Sequence, residues 1–201
     1  MKILENNPYR LLGVYSNSPT KERLANHNRM KAFLKVGKPV SFPLDLPSYF
    51  GLINRTDASV ADAEAKLTLP KDQILYAQFW FVKMTPLDDV AFKHLIIGEI
   101  DKAEEIWRKR ECVSSLQNRI VCALIRNNYD CAMTSAEVLY GNTQYINQFV
   151  SVIIGNGGNF DITNLTYSFL DTLCDEVGAN KLLPFISNSI WKKYIGEKGG
   201  H

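Results

Sequence analysis

Histidine is scarce in this chain: His27, His94 and His201 are the only three in 201 residues. None stands at a sequence spacing from a cysteine, serine or carboxylate that would make a catalytic dyad, and His94 reads as a packing residue. The four cysteines, Cys112, Cys122, Cys131 and Cys174, include no C-x-x-C pair and no partnering histidines. That excludes the common zinc and redox motifs. Cys112, Cys122 and Cys131 sit in or beside apolar helical stretches, where a reduced, buried thiol is expected. No apolar run approaches the length of a membrane span, and the stretch from Met1 to Pro8 has no signal-peptide core, so the expectation is a cytoplasmic protein with no membrane partner. The glycine cluster Gly155-Asn156-Gly157-Gly158 lacks the Lys-Ser/Thr of a phosphate-binding loop and follows a helix-like run, so it reads as a flexible turn.

Charge of either sign is also modest. A net charge of +2 and an isoelectric point near 8.3 are too mild to argue for nucleic acid on their own. With 46% apolar residues the chain has the composition of an ordinary globular protein of one large or two small domains. The acid pairs Asp88-Asp89 and Glu104-Glu105 read as solvated helix positions, the first placed to favour a helix N-terminus. No catalytic residue, cofactor or metal ligand is expected, and the chain reads as a non-enzyme. Its oligomeric state is left open.

What is present is helical patterning. Asn7-Pro8-Tyr9-Arg10-Leu11-Leu12-Gly13-Val14 is an apolar turn of helix opened by Pro8, whose missing N–H suits a first helical position, and ended by Gly13 at positive φ. Ser18-Pro19-Thr20 starts a second helix that runs to about Val36. It places Leu24, Met30, Phe33 and Leu34 mostly on one face and Lys21, Arg23, Arg29, Lys31 and Lys35 toward solvent. Val60, Ala63 and Leu67 then recur at helical spacing. After a break at Pro70, Ile74, Ala77 and Phe81 continue the apolar face.

This order resembles the J-domain of the Hsp70 co-chaperones, whose first helix reads like Tyr9, Leu12, Gly13 and Val14 and whose third reads like Ala63, Leu67, Pro70 and Tyr76. A basic second helix belongs to the same pattern. The resemblance implies an all-α J-like domain over residues 1–83, with the five cations Lys21, Arg23, Arg29, Lys31 and Lys35 as a partner-binding face for an acidic patch on Hsp70. The departure matters more. The family's His-Pro-Asp tripeptide, which triggers ATP hydrolysis by Hsp70, is replaced here by Val36-Gly37-Lys38-Pro39-Val40, and Pro43-Leu44-Asp45 has no histidine before it. The scaffold is implied and the stimulation of Hsp70 is not.

From Met84 onward the pattern changes to helix pairs. Leu95 to Ala103 and Leu124 to Ala132 line up at an offset of 29 residues, each with a turn residue able to take positive φ (Gly98 or Asn127), an apolar residue, an Asp and a small Ala. Ala103 and Ala132 let two antiparallel helices approach, while Ile100 and Tyr129 fill the groove beside the turn. The pattern resembles the tetratricopeptide (TPR) hairpins, with Ala91, Ala103 and Trp107 in the characteristic positions of the first unit and Ile120 and Ala136 departing from them in the second. It implies a TPR-like helical repeat domain over residues 84–195 whose first helices line a peptide-binding groove. The family's carboxylate clamp does not carry over, because Asp88 and Phe92 stand in its positions. Further apolar stripes fall at Tyr145, Phe149, Val152 and Ile153; at Leu165, Phe169, Leu170 and Leu173; and at Leu182, Leu183, Ile186, Ile190 and Tyr194. Residues 196–201 read as a disordered tail.

The expectation is an adaptor that binds another protein, chaperone-related by resemblance. Two alternatives stand beside it. One is nucleic-acid binding through the basic helix 20–36, against which the cations lack interleaved aromatics. The other is a structural subunit held in a larger assembly by its apolar repeat face. The five cations also admit a plainer reading as the wet side of an amphipathic helix.

Overall fold

The computed structural model describes residues 1–156 and 160–199, and among them the chain is all-helical, without a strand. Two short helices, α1 (Lys2–Glu5) and α2 (Pro8–Leu11), lead into α3 (Thr20–Lys35). After a long irregular connection holding the short α4 (Pro47–Phe50) come α5 (Asp57–Lys66) and α6 (Pro70–Ala77). Two helical hairpins follow, α7 (Pro86–Ile96) with α8 (Ile100–Arg108), and α9 (Val113–Ile125) with α10 (Tyr129–Tyr140). The chain ends in α11 (Thr143–Ile154), α12 (Leu165–Val177) and α13 (Ser189–Lys198). Among the described residues no helix is long and apolar enough to cross a membrane.

Local chemistry explains the element ends. Asn7 caps α2 through Oδ1, which accepts from Tyr9 N at 3.0 Å, and Pro8 takes the first helical position. Gly13 follows at φ +69°, and a Cβ there would lie 2.5 Å from the Phe42 ring, so position 13 requires glycine twice over. The two hairpin turns take the left-handed conformation expected of them, Gly98 at φ +89° and Asn127 at φ +56°. Ala91, Ala103, Trp107, Ile120, Ala132 and Ala136 are all fully buried between the helices.

The irregular connection from residue 37 to 56 is held by two arginines. Arg10 donates to the carbonyls of Asp45 (3.0 and 2.8 Å), Gly51 (2.8 Å) and Glu5 (2.8 Å). Arg55 donates to Leu11, Val40 and Arg10 carbonyls and to both carboxylate oxygens of Asp45, at 2.9 and 2.6 Å. Arg10, Asp45 and Arg55 are all buried, and the guanidinium planes cover the Phe50 and Phe42 rings. A bidentate pair whose remaining donors are all used is the arrangement in which burying charge is tolerated.

The junction between the two regions expected at Met84 is a buried non-helical segment, Gln78 to Val82. Its aromatic side chains Phe79, Trp80 and Phe81 are fully buried, and one hydrophobic cluster extends from Leu4 to Tyr194 through them. Buried backbone without a helical ladder must find other partners. Gln117 Nε2 donates to the carbonyls of Ala77, Gln78 and Trp80 (3.1, 2.9 and 3.1 Å), and Asn7 Nδ2 reaches those of Tyr76 and Phe79. Ser16 reaches the Phe81 carbonyl, while Asn118 pairs with both N–H and C=O of Val82 at 2.9 and 2.8 Å. Asn17 makes the same two-bonded contact to Lys83 at 3.1 and 2.7 Å, in solvent.

Several expectations are corrected. Asp88 is fully buried rather than solvated: its Oδ2 accepts from Met84 N and Thr85 N, and its Oδ1 accepts from Trp107 Nε1 at 2.8 Å. The capping position brings it inward because Trp107 needs an acceptor there. Glu104 is buried as well, whereas Asp89 and Glu105 are exposed. Cys131 is exposed and Cys112 half-buried, leaving Cys122 as the buried thiol of the three. The stripe from Leu182 to Tyr194 is not one helix. Two 3-10 turns, Ala179–Lys181 and Leu183–Phe185, leave Leu183 and Ile186 exposed, and α13 begins only where the Asn188 side chain accepts from Trp191 N. Pro184, lacking an N–H, suits the turn and breaks the period. The tail expected from Gly196 is helical to Lys198, and His201 lies outside the described residues, as do Gly157 and Gly158 of the glycine cluster.

The two asparagines give a matched test. Asn118→Ala strands a buried N–H and C=O and is expected to cost about 2–4 kcal/mol, whereas Asn17→Ala leaves groups that water can reach and should cost less than about 0.5 kcal/mol. Urea midpoints at unchanged slope measure both. Equal losses would show that the burial of Val82 does not carry the difference.

Candidate functional site

Helix α3 is the least buried long element of the chain. Its N-terminus is set by Pro19 and by Ser18, whose Oγ accepts from Tyr15 N at 2.9 Å. Its C-terminus is closed by Gly37 at φ +69°, with Lys38 N donating back to Phe33 O at 3.0 Å. Between these ends Met30 is the one fully buried side chain. Asn26 Nδ2 donates to the carbonyls of Leu12 and Gly13 at 3.1 and 3.0 Å, tying the helix to the end of α2. Arg29 lies over the rings of Phe33 and Phe42, both at 5.5 Å.

The apolar face expected of this helix is therefore narrower than Leu24, Met30, Phe33 and Leu34 together. Phe33 and Leu34 are half-buried, and Leu24 turns to the solvent side, 56% exposed. At 100° per residue Leu24 stands well round the helix from Met30, near Lys31 and Lys35, which is why it is not covered.

The five expected partner-binding residues are placed as follows. Lys21, Arg29, Lys31 and Lys35 are exposed, and Arg23 is half-buried on the flank toward α5. Among the described residues none of the five lies within 4.0 Å of a carboxylate. Some other cations are paired, Lys66 with Asp62 at 3.0 Å, Lys83 with Asp89 at 3.4 Å and Lys198 with Asp171 at 2.6 Å. Others, among them Lys38, Lys71, Lys93 and Arg119, have no carboxylate in reach among the described residues either, so what distinguishes α3 is that five such cations share one helix.

Between α3 and α5 lies an open cleft. The helices run antiparallel and are not among the closely packed pairs of the fold. His27 bridges them, with Nδ1 2.6 Å from Glu64 Oε1 but off the direction of a good hydrogen bond. Shallow depressions of about 340 and 120 Å³ flank the bridge, the first beside Arg23 and Leu24, the second beside Lys31, Leu34, Val60 and Ala61.

The other histidine within the described residues also has a carboxylate beside it. His94 Nδ1 lies 3.2 Å from Glu99 Oε1, so folding supplies what the sequence spacing of both residues did not indicate. The hydrogen bonds of the described residues include none from a serine, threonine or cysteine to either ring. A depression of about 460 Å³ lies among Tyr140, Tyr167, Leu170, Lys193, Tyr194 and Glu197, and the Tyr194 hydroxyl beside it donates to Asp171 at 2.5 Å.

Helix α9, from Val113 to Leu124, is almost wholly buried, and Gln117 and Asn118 on it hold residues 77–82 of the same chain. Sequence reasoning missed Gln78, Gln117 and Asn118; the available signal was their position inside otherwise apolar runs.

Compared with protein-family models, curated proteins and solved structures, the chain matches none of them.

The paired charges on the opposite hairpin give a pH test. Glu104 lies near Arg108 (3.4 Å) and Arg126 (3.6 Å), yet burial raises its pKa above the ordinary 4.5 against the pull of these arginines. The folded chain then holds this proton more tightly than the unfolded chain, so Glu104 weakens the fold as pH rises through 4.5 and favours it as pH falls. Glu104→Gln should be more stable than wild type at neutral pH, with the difference vanishing near about pH 3.5, where both side chains are uncharged. Urea melts at the two pH values measure it. A variant less stable at neutral pH would show that the arginines outweigh burial.

Proposed function

We propose that this chain is a non-enzymatic adaptor that binds another protein through the cationic face of α3. The observation that carries the reading is a 16-residue helix with a single fully buried side chain on which five cations are gathered, none within 4.0 Å of a carboxylate among the described residues. An isolated helix of that length is marginal in water, and its covered face stabilises it little. Its retention in ordered form, with both ends stopped, fits a surface kept for an outside partner.

The scaffold reading is J-like. Supporting it, Tyr9, Leu12, Val14, Ala63 and Leu67 are buried together, the Tyr9 hydroxyl donates to Gln73 O at 2.9 Å, and Pro70 opens α6. The segment after α3 supplies Val36, Gly37, Lys38 and Pro39 where a stimulatory His-Pro-Asp would stand, so Hsp70 activation is not part of the proposal. The TPR-like reading of the hairpins rests on the left-handed turns at Gly98 and Asn127 and on the buried small residues at the crossings. Because residues 77–82 cover the inner side of α9, α3 is favoured over the repeat groove as the docking face.

Replacement of Lys21, Arg23, Arg29, Lys31 and Lys35 by Gln, in a variant with unchanged far-UV circular dichroism, should abolish recovery of one discrete protein from native lysate. An unchanged set of captured proteins would overturn the assignment to α3. Binding to random oligonucleotides that weakens steeply with salt would assign the helix to nucleic acid instead. Turnover of ATP by Hsp70 should not rise on adding the protein; stimulation at the level of an authentic J-domain would overturn the non-stimulatory reading.

A further inference from the structure

The geometry points to the α3–α5 cleft as the seat of an amphipathic helix from a partner protein, with acidic residues along one edge and basic residues along the other. This rests on α3 being the docking element, as proposed above.

Both walls are helical stripes. Thr20, Leu24, His27, Lys31 and Leu34 recur at steps of three and four along α3, and Asp57, Val60, Ala61 and Glu64 do the same along α5. The walls run antiparallel, since Leu34 and Lys31 share a depression with Asp57 and Val60 while the other depression brings Arg23 and His27 to Glu64. The two helices meet at His27 and Glu64, and on either side of that contact the seam opens into a depression over which a third helix could lie.

The occupant's chemistry follows from the rims. Arg23 and Lys31 stand on the α3 side, eight residues and so about 12 Å apart at 1.5 Å rise per residue. Asp57 and Glu64 stand on the α5 side, with Glu64 already facing His27. A helix in the cleft meets cations on one flank and carboxylates on the other, which fixes both its edge charges and its direction. The lining is apolar at the exposed Leu24 in one depression and at Leu34, the buried Val60 and the exposed Ala61 in the other, and the His27–Glu64 bridge divides the two. The two depressions centre about seven residues apart along α3, roughly 11 Å, which matches apolar anchors at i and i+7 on the occupant. A nucleic acid would leave the apolar floor unused and would meet the carboxylates of Asp57 and Glu64.

The test uses the full chain and a labelled synthetic helical peptide of about 18 residues, long enough to hold its helix when docked. It carries two Leu seven positions apart, Glu on one edge and Lys on the other. Fluorescence anisotropy should show saturable binding that weakens at least about tenfold in Ala61→Trp and in Leu24→Ser, both exposed sites where folding is little affected. A peptide with the two Leu changed to Ser, and one with its charged edges exchanged, should bind at least about tenfold more weakly. Absence of saturable binding, or equal binding of all three peptides, would overturn the inference.

So would full binding by Ala61→Trp alongside loss in the five-cation variant, a result that keeps α3 as the docking helix but moves the contact to its outer face. If lysate capture by the five-cation variant is unchanged, the reading of α3 itself fails. Sedimentation velocity of the chain alone should show that the cleft does not seat a second copy. A dimer broken by Ala61→Trp would assign it to one and overturn the inference.

Discussion

The whole fold turns on keeping an irregular segment dry. Residues 78–82 carry three large aromatic side chains into the centre of the molecule, and in doing so they take backbone N–H and C=O groups out of water with no helix to pair them. Each such group left alone would cost on the order of 1–3 kcal/mol. The chain meets this with side-chain amides: Asn7 from one side, Gln117 and Asn118 from the other, and Ser16 beside them. These donors come from α2, the turn after it, and α9, which are far apart in sequence. The first eighty residues and the hairpins are therefore fixed to each other by the same hydrogen bonds that make the segment tolerable.

That constraint decides which surfaces are free. Helix α9 is used up internally, its Gln117 and Asn118 bonded to residues 77–82, and the Phe81, Phe92 and Trp107 rings meet edge to face. On the other side the arginines Arg10 and Arg55 gather the carbonyls of the 37–56 connection and pin it beneath the C-terminal end of α3. Helix α3 meets that connection where Arg29 lies over Phe42, the end of α2 through Asn26 and α5 through His27, and Met30 is its one fully buried side chain. The interior is thus closed by buried polar networks, and the one long helix outside them keeps most of its surface in solvent.

What could be read from the sequence was the part written in local chemistry. Proline at a first helical position, glycine or asparagine at a left-handed turn, and apolar spacing located α2, α3, α5, α6 and both hairpins, and they anticipated the positive φ of Gly98 and Asn127. What escaped was decided by tertiary partners. Asp88 has the sequence signature of an exposed helix N-terminal acid, and only Trp107, nineteen residues on, draws it inside. Gln117 and Asn118 look like interruptions of an apolar helix until the carbonyls they serve are in place. Leu24 fits an apolar stripe on paper but falls outside the arc that Met30 defines, and the run from Leu182 to Tyr194 keeps a helical period across a proline that cannot sustain one. The cleft beside α3 belongs to this second kind: its cations were legible, but the facing wall of α5 and the His27–Glu64 bridge needed the fold.

On the docking reading proposed for α3, its placement of charge has a kinetic consequence. Lys66 and Lys83 are partly neutralised by carboxylates in contact, so their fields decay within a few ångströms, whereas the cations of α3 have Glu22 as the one acid on their own helix. At physiological ionic strength the screening length is about 8 Å, comparable to the spacing of these side chains along the helix, so their potentials overlap over the surface of α3. A local positive field on a chain of net charge only +2 orients an approaching acidic surface toward one element rather than toward the molecule as a whole. Exposed charges of this kind govern the rate of encounter more than the lifetime of a complex, and lifetime depends on apolar contacts that exclude water. Leu24 and Leu34 with Val60 and Ala61 lie directly beside the cations, so attraction and retention are supplied by adjoining parts of one surface.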